Sequence, residues 1–128
     1  MASFGYSLAL LCAVFIIKHL VADFLLQTTW MAQGKERSSG WLAPLSAHCA
    51  VHAALTGAIT IAVAPALWWL TAVDFLIHAA IDRSKGVVTK HLGFAPFTDA
   101  RWWWIFGLDQ SLHQLTHLGY AVVLSNAS

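Results

Sequence analysis

"HLVADFLLQ", residues His19–Gln27, sets a histidine, a carboxylate and an amide four residues apart inside a run that is otherwise apolar. On a helix, side chains at i and i+4 stand one above the other, about 6 Å apart along the axis. His19, Asp23 and Gln27 therefore form one polar line on a greasy helix. The construction recurs three times: "HCAVH" gives His48 and His52, "DFLIHAAID" gives Asp74, His78 and Asp82, and "DQSLHQLTH" gives Asp109, His113 and His117. Six of the seven histidines and four of the six acidic residues fall on these lines, too concentrated a pattern for scattered surface polarity.

The chain around them cannot solvate a globular surface. Of its 128 residues 59% are hydrophobic and 10% charged, against about 25% charged in ordinary soluble domains. That composition points to a membrane protein. A net charge of +1 gives no electrostatic footprint for nucleic acid, so no nucleic-acid partner is expected. The apolar N-terminal run has no basic region before it and exceeds the length of a signal-peptide core, so it reads as a retained first span. Cys12 and Cys49 fall in different apolar segments and read as free thiols.

Four apolar segments follow one another: Phe4 to Met31, Trp41 to Val63, Ala66 to Val88, and Arg101 to Leu124. Each is close to the roughly 20 residues that a helix needs to cross a bilayer. "QGKERSSG", "VAPA" and "TKHLGFAPFTDA" connect them, and such short connections make neighbours antiparallel. The predicted fold is an all-α membrane protein, a single four-transmembrane-helix up-down bundle over residues 1–128. Lys35 and Arg37 in the first connection, and Arg83, Lys85, Lys90 and Arg101 in or beside the third, place those connections in the cytoplasm and both termini on the opposite side. Trp30, Trp41 and Trp102 to Trp104 then mark the cytoplasmic edge, and Trp68 and Trp69 the other.

In that topology all four polar lines overlap in the cytoplasmic half of the bundle. A carboxylate near the bilayer centre costs about 2.5–3.5 kcal/mol on insertion scales, so such residues turn inward and find partners. His–Asp hydrogen bonds with a buried water or two would serve for a single pair. Imidazoles and carboxylates converging in a dry bundle also make a metal site, with a divalent cation neutralising the carboxylates. His19, His48, His52, His78, Asp82, His113 and His117 form the candidate ligand pool. Asp23, Asp74 and Asp109 are candidate ligands, supporting groups or general bases. The mixed set suits Zn²⁺, with Mn²⁺ or Fe as alternatives. It exceeds the needs of one tetrahedral ion, which implies either a dinuclear centre or an extended set of supporting groups.

Lys18 lies about 100° around the helix from His19 and either snorkels toward the interface or pairs with an inward Asp. Lys85 stands near the site mouth as a basic anchor or a headgroup contact. Ala50, Ala53, Ala54 and Gly57 form a small-residue face suited to close helix packing. His91 and Asp99 are expected to be solvated.

"KHLVADFLLQTTWMAQGK", "HCAVHAAL", "DFLIHAAIDRSK" and "DQSLHQLTH" together resemble a small bacterial inner-membrane family, domain of unknown function 3307, over nearly the whole chain. The resemblance implies a four-span protein of the bacterial inner (cytoplasmic) membrane, and it implies no activity; the basic residues add the periplasmic termini. A looser likeness in the style of the site links it to membrane-bound metal-dependent hydrolases.

The leading functional expectation is a metal-dependent membrane hydrolase whose site opens to the cytoplasmic leaflet and takes a lipid-like substrate. A di-iron oxidase is a weaker variant, since the sequence has no paired His-His. The alternative class is a non-enzymatic accessory or structural subunit of a larger membrane complex or homo-oligomer, binding haem or pigment through histidine or using its polar lines for helix pairing. An ion pathway fits less well, because polar residues thin out beyond Thr60 and Tyr120.

Overall fold

The computed structural model describes residues 5–128, and among them every regular element is helical. Helix α1 (Leu8–Leu20) starts at Ser7, whose hydroxyl accepts the Leu10 N–H at 3.2 Å. It runs directly into a π-helical turn, Val21–Leu25, closed by Leu26 N–H donating to Val21 O at 2.8 Å. Asp23 sits on this widened turn. Such turns inside α-helices are frequent at functional sites.

The first segment does not continue to Met31, as the hydropathy suggested. The helix ends after Leu25, and a separate α2 (Thr29–Gly34) begins with the Thr28 hydroxyl accepting the Met31 N–H. The cause is local. Thr28 favours a cap over a helix interior. Gln27 donates its side-chain amide to the Asp23 carbonyl at 3.0 Å, satisfying one of the acceptors that a helix end leaves open. α2 then packs on α3 so closely that a Cβ at Gly34 would lie 2.5 Å from Pro44 Cγ.

Helix α3 (Leu42–Val63), a short 3₁₀ turn (Pro65–Leu67) and α4 (Leu70–Leu92) form a tight hairpin. α4 begins later than the expected Ala66 because Pro65 opens the 3₁₀ turn. It ends at Gly93, whose φ of 67° is the left-handed cap that glycine adopts without steric cost. Helix α5 (Ala100–Ala127) is capped by the Asp99 carboxylate, which accepts from Arg101 N at 2.9 Å. Asp99 also pairs with the Arg101 guanidinium at 2.8 Å, so it is less free than the solvated residue expected; His91 is exposed.

Two side-chain clusters fix the helix directions. Leu11, Phe15, Ala64, Leu70, Tyr120, Ala121 and Leu124 form an apolar core at one end. Asp23, His48, Asp82 and His113 meet at the other. α1 and α4 therefore run one way, and α3 and α5 the other. The rest of the interior is mostly polar, with Ala22, Leu45, Cys49 and Ala53 buried among the polar groups, while Ile17, Leu25, Ile61, Leu76, Trp104, Leu108 and Leu115 lie largely exposed on the outside. Leu8–Leu25 and Leu42–Val63 are long and apolar enough to cross a membrane. The small-residue face of α3 is close-packed at Gly57, where an added Cβ would meet Thr71 Oγ1 at 2.8 Å.

Candidate metal centre

On α3, α4 and α5 each polar line predicted from the sequence is the buried face of its helix, while the first line leaves its helix before Gln27, which is half-buried beyond the π-helical turn. His19, His48, His52, Asp74, His78, Asp82, Asp109, His113 and His117 are all buried, and Asp23 is half-buried. On α3 the line continues by the same four-residue step through Thr56 and Thr60, both fully buried. All the candidate residues join one connected cluster, although they do not play equivalent parts in it.

The proton on His113 follows from its partner, whereas both ring nitrogens of His48 are buried without one. His113 Nδ1 donates to the Asp109 carbonyl at 2.8 Å, which leaves the Nε2 lone pair facing Asp82 Oδ1 at 3.3 Å. His48 Nε2 lies 3.2 Å from Asp23 Oδ1 and 3.3 Å from Asp82 Oδ2. None of these three contacts has the alignment of a hydrogen bond, and both Nε2 atoms are buried without a partner. Ligands of one tetrahedral zinc, at about 2.0–2.1 Å from the ion, stand about 3.3 Å from one another. Three contacts in the chain Asp23–His48–Asp82–His113, at 3.2–3.3 Å, have the length of such an edge, Asp82 turning Oδ2 to His48 and Oδ1 to His113; the groups whose ligand atoms all lie within 4.8 Å of one another here are Asp23–His48–His52 and Asp82–Asp109–His113. The bond from His113 Nδ1 to a carbonyl is the usual restraint on a metal-binding imidazole.

His52 and His117 face a cation instead. Lys18 Nζ lies 2.9 Å from His52 Nδ1 and 3.2 Å from His117 Nε2. An ammonium only donates, so His52 carries its proton on Nε2 and gives it to Asp23 Oδ1 at 2.6 Å. His19 Nε2 donates to Gln110 Oε1 at 2.8 Å and lies 3.2 Å from Asp23 Oδ2. His78 pairs through Nδ1 with Asp74 Oδ1 at 3.4 Å, and its ring stacks on His52 with centroids 3.7 Å apart. Asp74 accepts from Thr56 at 2.7 Å and from Lys18 at 3.2 Å.

Lys18 thus pairs with an inward Asp, the second of the two placements expected for it. Lys35, read from the sequence only as a basic anchor, is also buried. Its Nζ donates to Gln27 Oε1 at 2.8 Å and to Asp82 Oδ2 at 2.9 Å. Lys85 binds Glu36 at 2.9 Å and lies 3.9 Å from Asp109. Arg83 points away, over the Trp41 ring and onto the Arg37 carbonyl at 2.9 Å. Charge bookkeeping then leaves a remainder: Lys18 matches Asp74, Lys35 matches Asp82 and Lys85 matches Glu36. Asp23 and Asp109 have no lysine of their own, and their two negative charges equal the charge of one divalent cation.

A polar cavity of about 140 Å³ opens onto Asp23, Lys35, Asp82, Lys85 and Asp109. Beside it an apolar groove of about 270 Å³ runs between α4 and α5 along Ile81, Val88, Ile105, Leu108 and Leu112. Cavity and groove share Lys85 and Asp109, so they meet there. Sequence reasoning missed Lys35, Thr56, Thr60 and Gln110. The threonines were legible as further steps of the α3 line. Lys35 was hidden because it follows the unpredicted break before α2.

A family model described as Protein of unknown function (DUF3307) matches residues 11–126. Searches of curated proteins and of solved structures find no match.

Proposed function

The chain belongs to the DUF3307 family, and for this member we propose a metal-dependent hydrolase of the bacterial inner membrane, acting on an amphipathic, lipid-like substrate. The observation that carries the proposal is the pair of buried, unpartnered Nε2 atoms of His48 and His113, set at ligand spacing from Asp23 and Asp82. The four-span arrangement is supported by the polar interior and apolar exterior: α5 exposes Leu108, Leu112, Leu115, Leu118 and Val122, a surface for lipid rather than water. Basic residues at the ends that carry the polar cavity favour a cytoplasmic mouth and periplasmic termini.

A divalent cation, Zn²⁺ by ligand type with Mn²⁺ or Fe as alternatives, would polarise an acyl or phosphoryl oxygen and make water acidic enough to attack. The chain supplies the rest. Asp109 Oδ1 is buried without a partner at the junction of cavity and groove, where it can take a proton from the attacking water. The water oxygen bonds to the acyl carbon or phosphorus, the bond to the leaving oxygen breaks, and Asp109 returns the proton to that oxygen. The groove between α4 and α5 would hold an acyl chain approaching from the bilayer, with the headgroup at Lys85. Asp23 would be a ligand fixed by His19 and His52, and Asp74 the counter-ion of Lys18.

The test is elemental analysis of chelator-free, detergent-purified protein and of a His48→Ala, His113→Ala double variant, with hydrolysis of p-nitrophenyl esters and phosphodiesters of rising chain length. One equivalent of metal, lost in the variant, and metal-dependent turnover that rises with chain length are expected. A wild-type protein without metal would transfer the reading to a structural or accessory subunit of a membrane complex.

A further inference from the structure

Behind the proposed metal position lies a second set of ligand-type atoms. His52, His78 and His117 each offer a ring nitrogen, and these lie within 4.8 Å of one another. Asp74 adds a carboxylate, 3.4 Å from His78. Three imidazoles and a carboxylate are a zinc-type set. The Lys18 ammonium sits among them, 2.9 Å from His52 Nδ1, 3.2 Å from His117 Nε2 and 3.2 Å from Asp74 Oδ2. Its three N–H groups have three acceptors, so its donor capacity is filled. Lys18 is 4% exposed and Asp74 0%, so neither is a surface ion pair. A divalent ion held by the same atoms would collide with the ammonium, which contacts three of the four residues of the set, and be repelled by it at short range in a low-dielectric interior; at the other end Lys35 touches a single donor atom, Asp82 Oδ2 at 2.9 Å, and leaves Asp82 Oδ1 facing His113.

We infer that Lys18 is a tethered cation occupying a latent metal site, so that the centre takes one divalent ion at its Asp23–His48–Asp82–His113 end and loss of the lysine opens a second site at His52–His78–His117. The first half rests on the hydrolase reading, while the second half does not. This inference answers the surplus of candidate ligands: the excess is filled by a residue of the chain itself.

The experiment is a cobalt(II) titration of detergent-purified protein, followed by visible absorption and by metal content after removal of excess. Wild type and Lys18→Arg, which keeps the charge, are expected to bind one equivalent. Lys18→Met is expected to bind two, and addition of His117→Ala should remove only the second. Lys18→Met leaves Asp74 without its counter-ion, so Lys18→Met with Asp74→Asn tests the same point in a variant without that buried charge. Two equivalents in wild type would overturn the inference. So would the wild-type stoichiometry in both folded methionine variants. No cobalt in wild type with one His117-dependent equivalent in Lys18→Met would uphold the latent site and refute the proposed metal centre.

Discussion

His113 and His117 are one helical turn apart on α5 and equivalent by sequence pattern, yet they should respond very differently to removal. His113 offers an unshared Nε2 lone pair beside Asp82, whereas His117 spends its Nε2 on Lys18. Structural zinc sites with four ligands bind with apparent free energies of about 10–16 kcal/mol. An even share per ligand is about 2.5–4 kcal/mol, so His113→Ala should weaken zinc binding by about 10²–10³-fold at 1.4 kcal/mol per decade. His117 reaches the proposed ion only through Lys18, His52 and Asp23. Loss of a group that contacts a ligand directly costs about 10–100-fold, and His117 is further removed, so His117→Ala should cost about tenfold or less. Competition against a chromogenic chelator in detergent measures both constants. Equal losses, or a larger loss for His117→Ala, would refute the assignment of proton positions on which the centre is built.

Lys35→Ala strips Asp82 of its buried counter-ion and should destabilise the metal-free protein by about 3–5 kcal/mol, read from denaturant unfolding in detergent. Zinc at a hundred times its Kd should raise the unfolding free energy by about 2.7 kcal/mol, and a His48→Ala, His113→Ala protein should show no such rise. Asp109→Asn should lower kcat by about 10²–10⁴-fold while zinc affinity stays within a few-fold of wild type. A matched loss of both would make Asp109 a ligand rather than a base. Gly34→Ala forces a Cβ to 2.5 Å from Pro44 Cγ and should cost about 1–3 kcal/mol by overpacking, read from the same denaturant unfolding.

The polar lines were legible because i, i+4 spacing survives in a helix whatever packs against it. His48, His52, Asp74, His78, Asp82, Asp109, His113 and His117 all fell on the face that the structure buries. The end of α3 before Pro65 was legible too, whereas α4 runs past the expected Val88 to Leu92 and stops only at Gly93. The break between Leu26 and Thr28 was not legible, since no proline or glycine interrupts "LLQTTW" and hydropathy runs straight through it. The sorting of ligands from bystanders was also invisible. It depends on Lys18 reaching Asp74 and His117 from distant points of the chain, and no local pattern encodes that. Basic residues near a span read as anchors by default, which obscured the inward turn of Lys35.

The α3–α4 hairpin bears on biogenesis. A helix carrying Asp74, His78 and Asp82 is a poor candidate for insertion alone, at about 2.5–3.5 kcal/mol for each mid-bilayer carboxylate. The turn at Pro65–Leu67 delivers α4 directly against α3, where the Thr56 hydroxyl meets Asp74 at 2.7 Å and Gly57 admits Thr71. The first carboxylate of α4 thus finds a partner in the preceding helix before α5 has been synthesised. On the four-span reading, the translocon would release this pair as one unit, and α5 would dock last onto a bundle already committed to its polar interior.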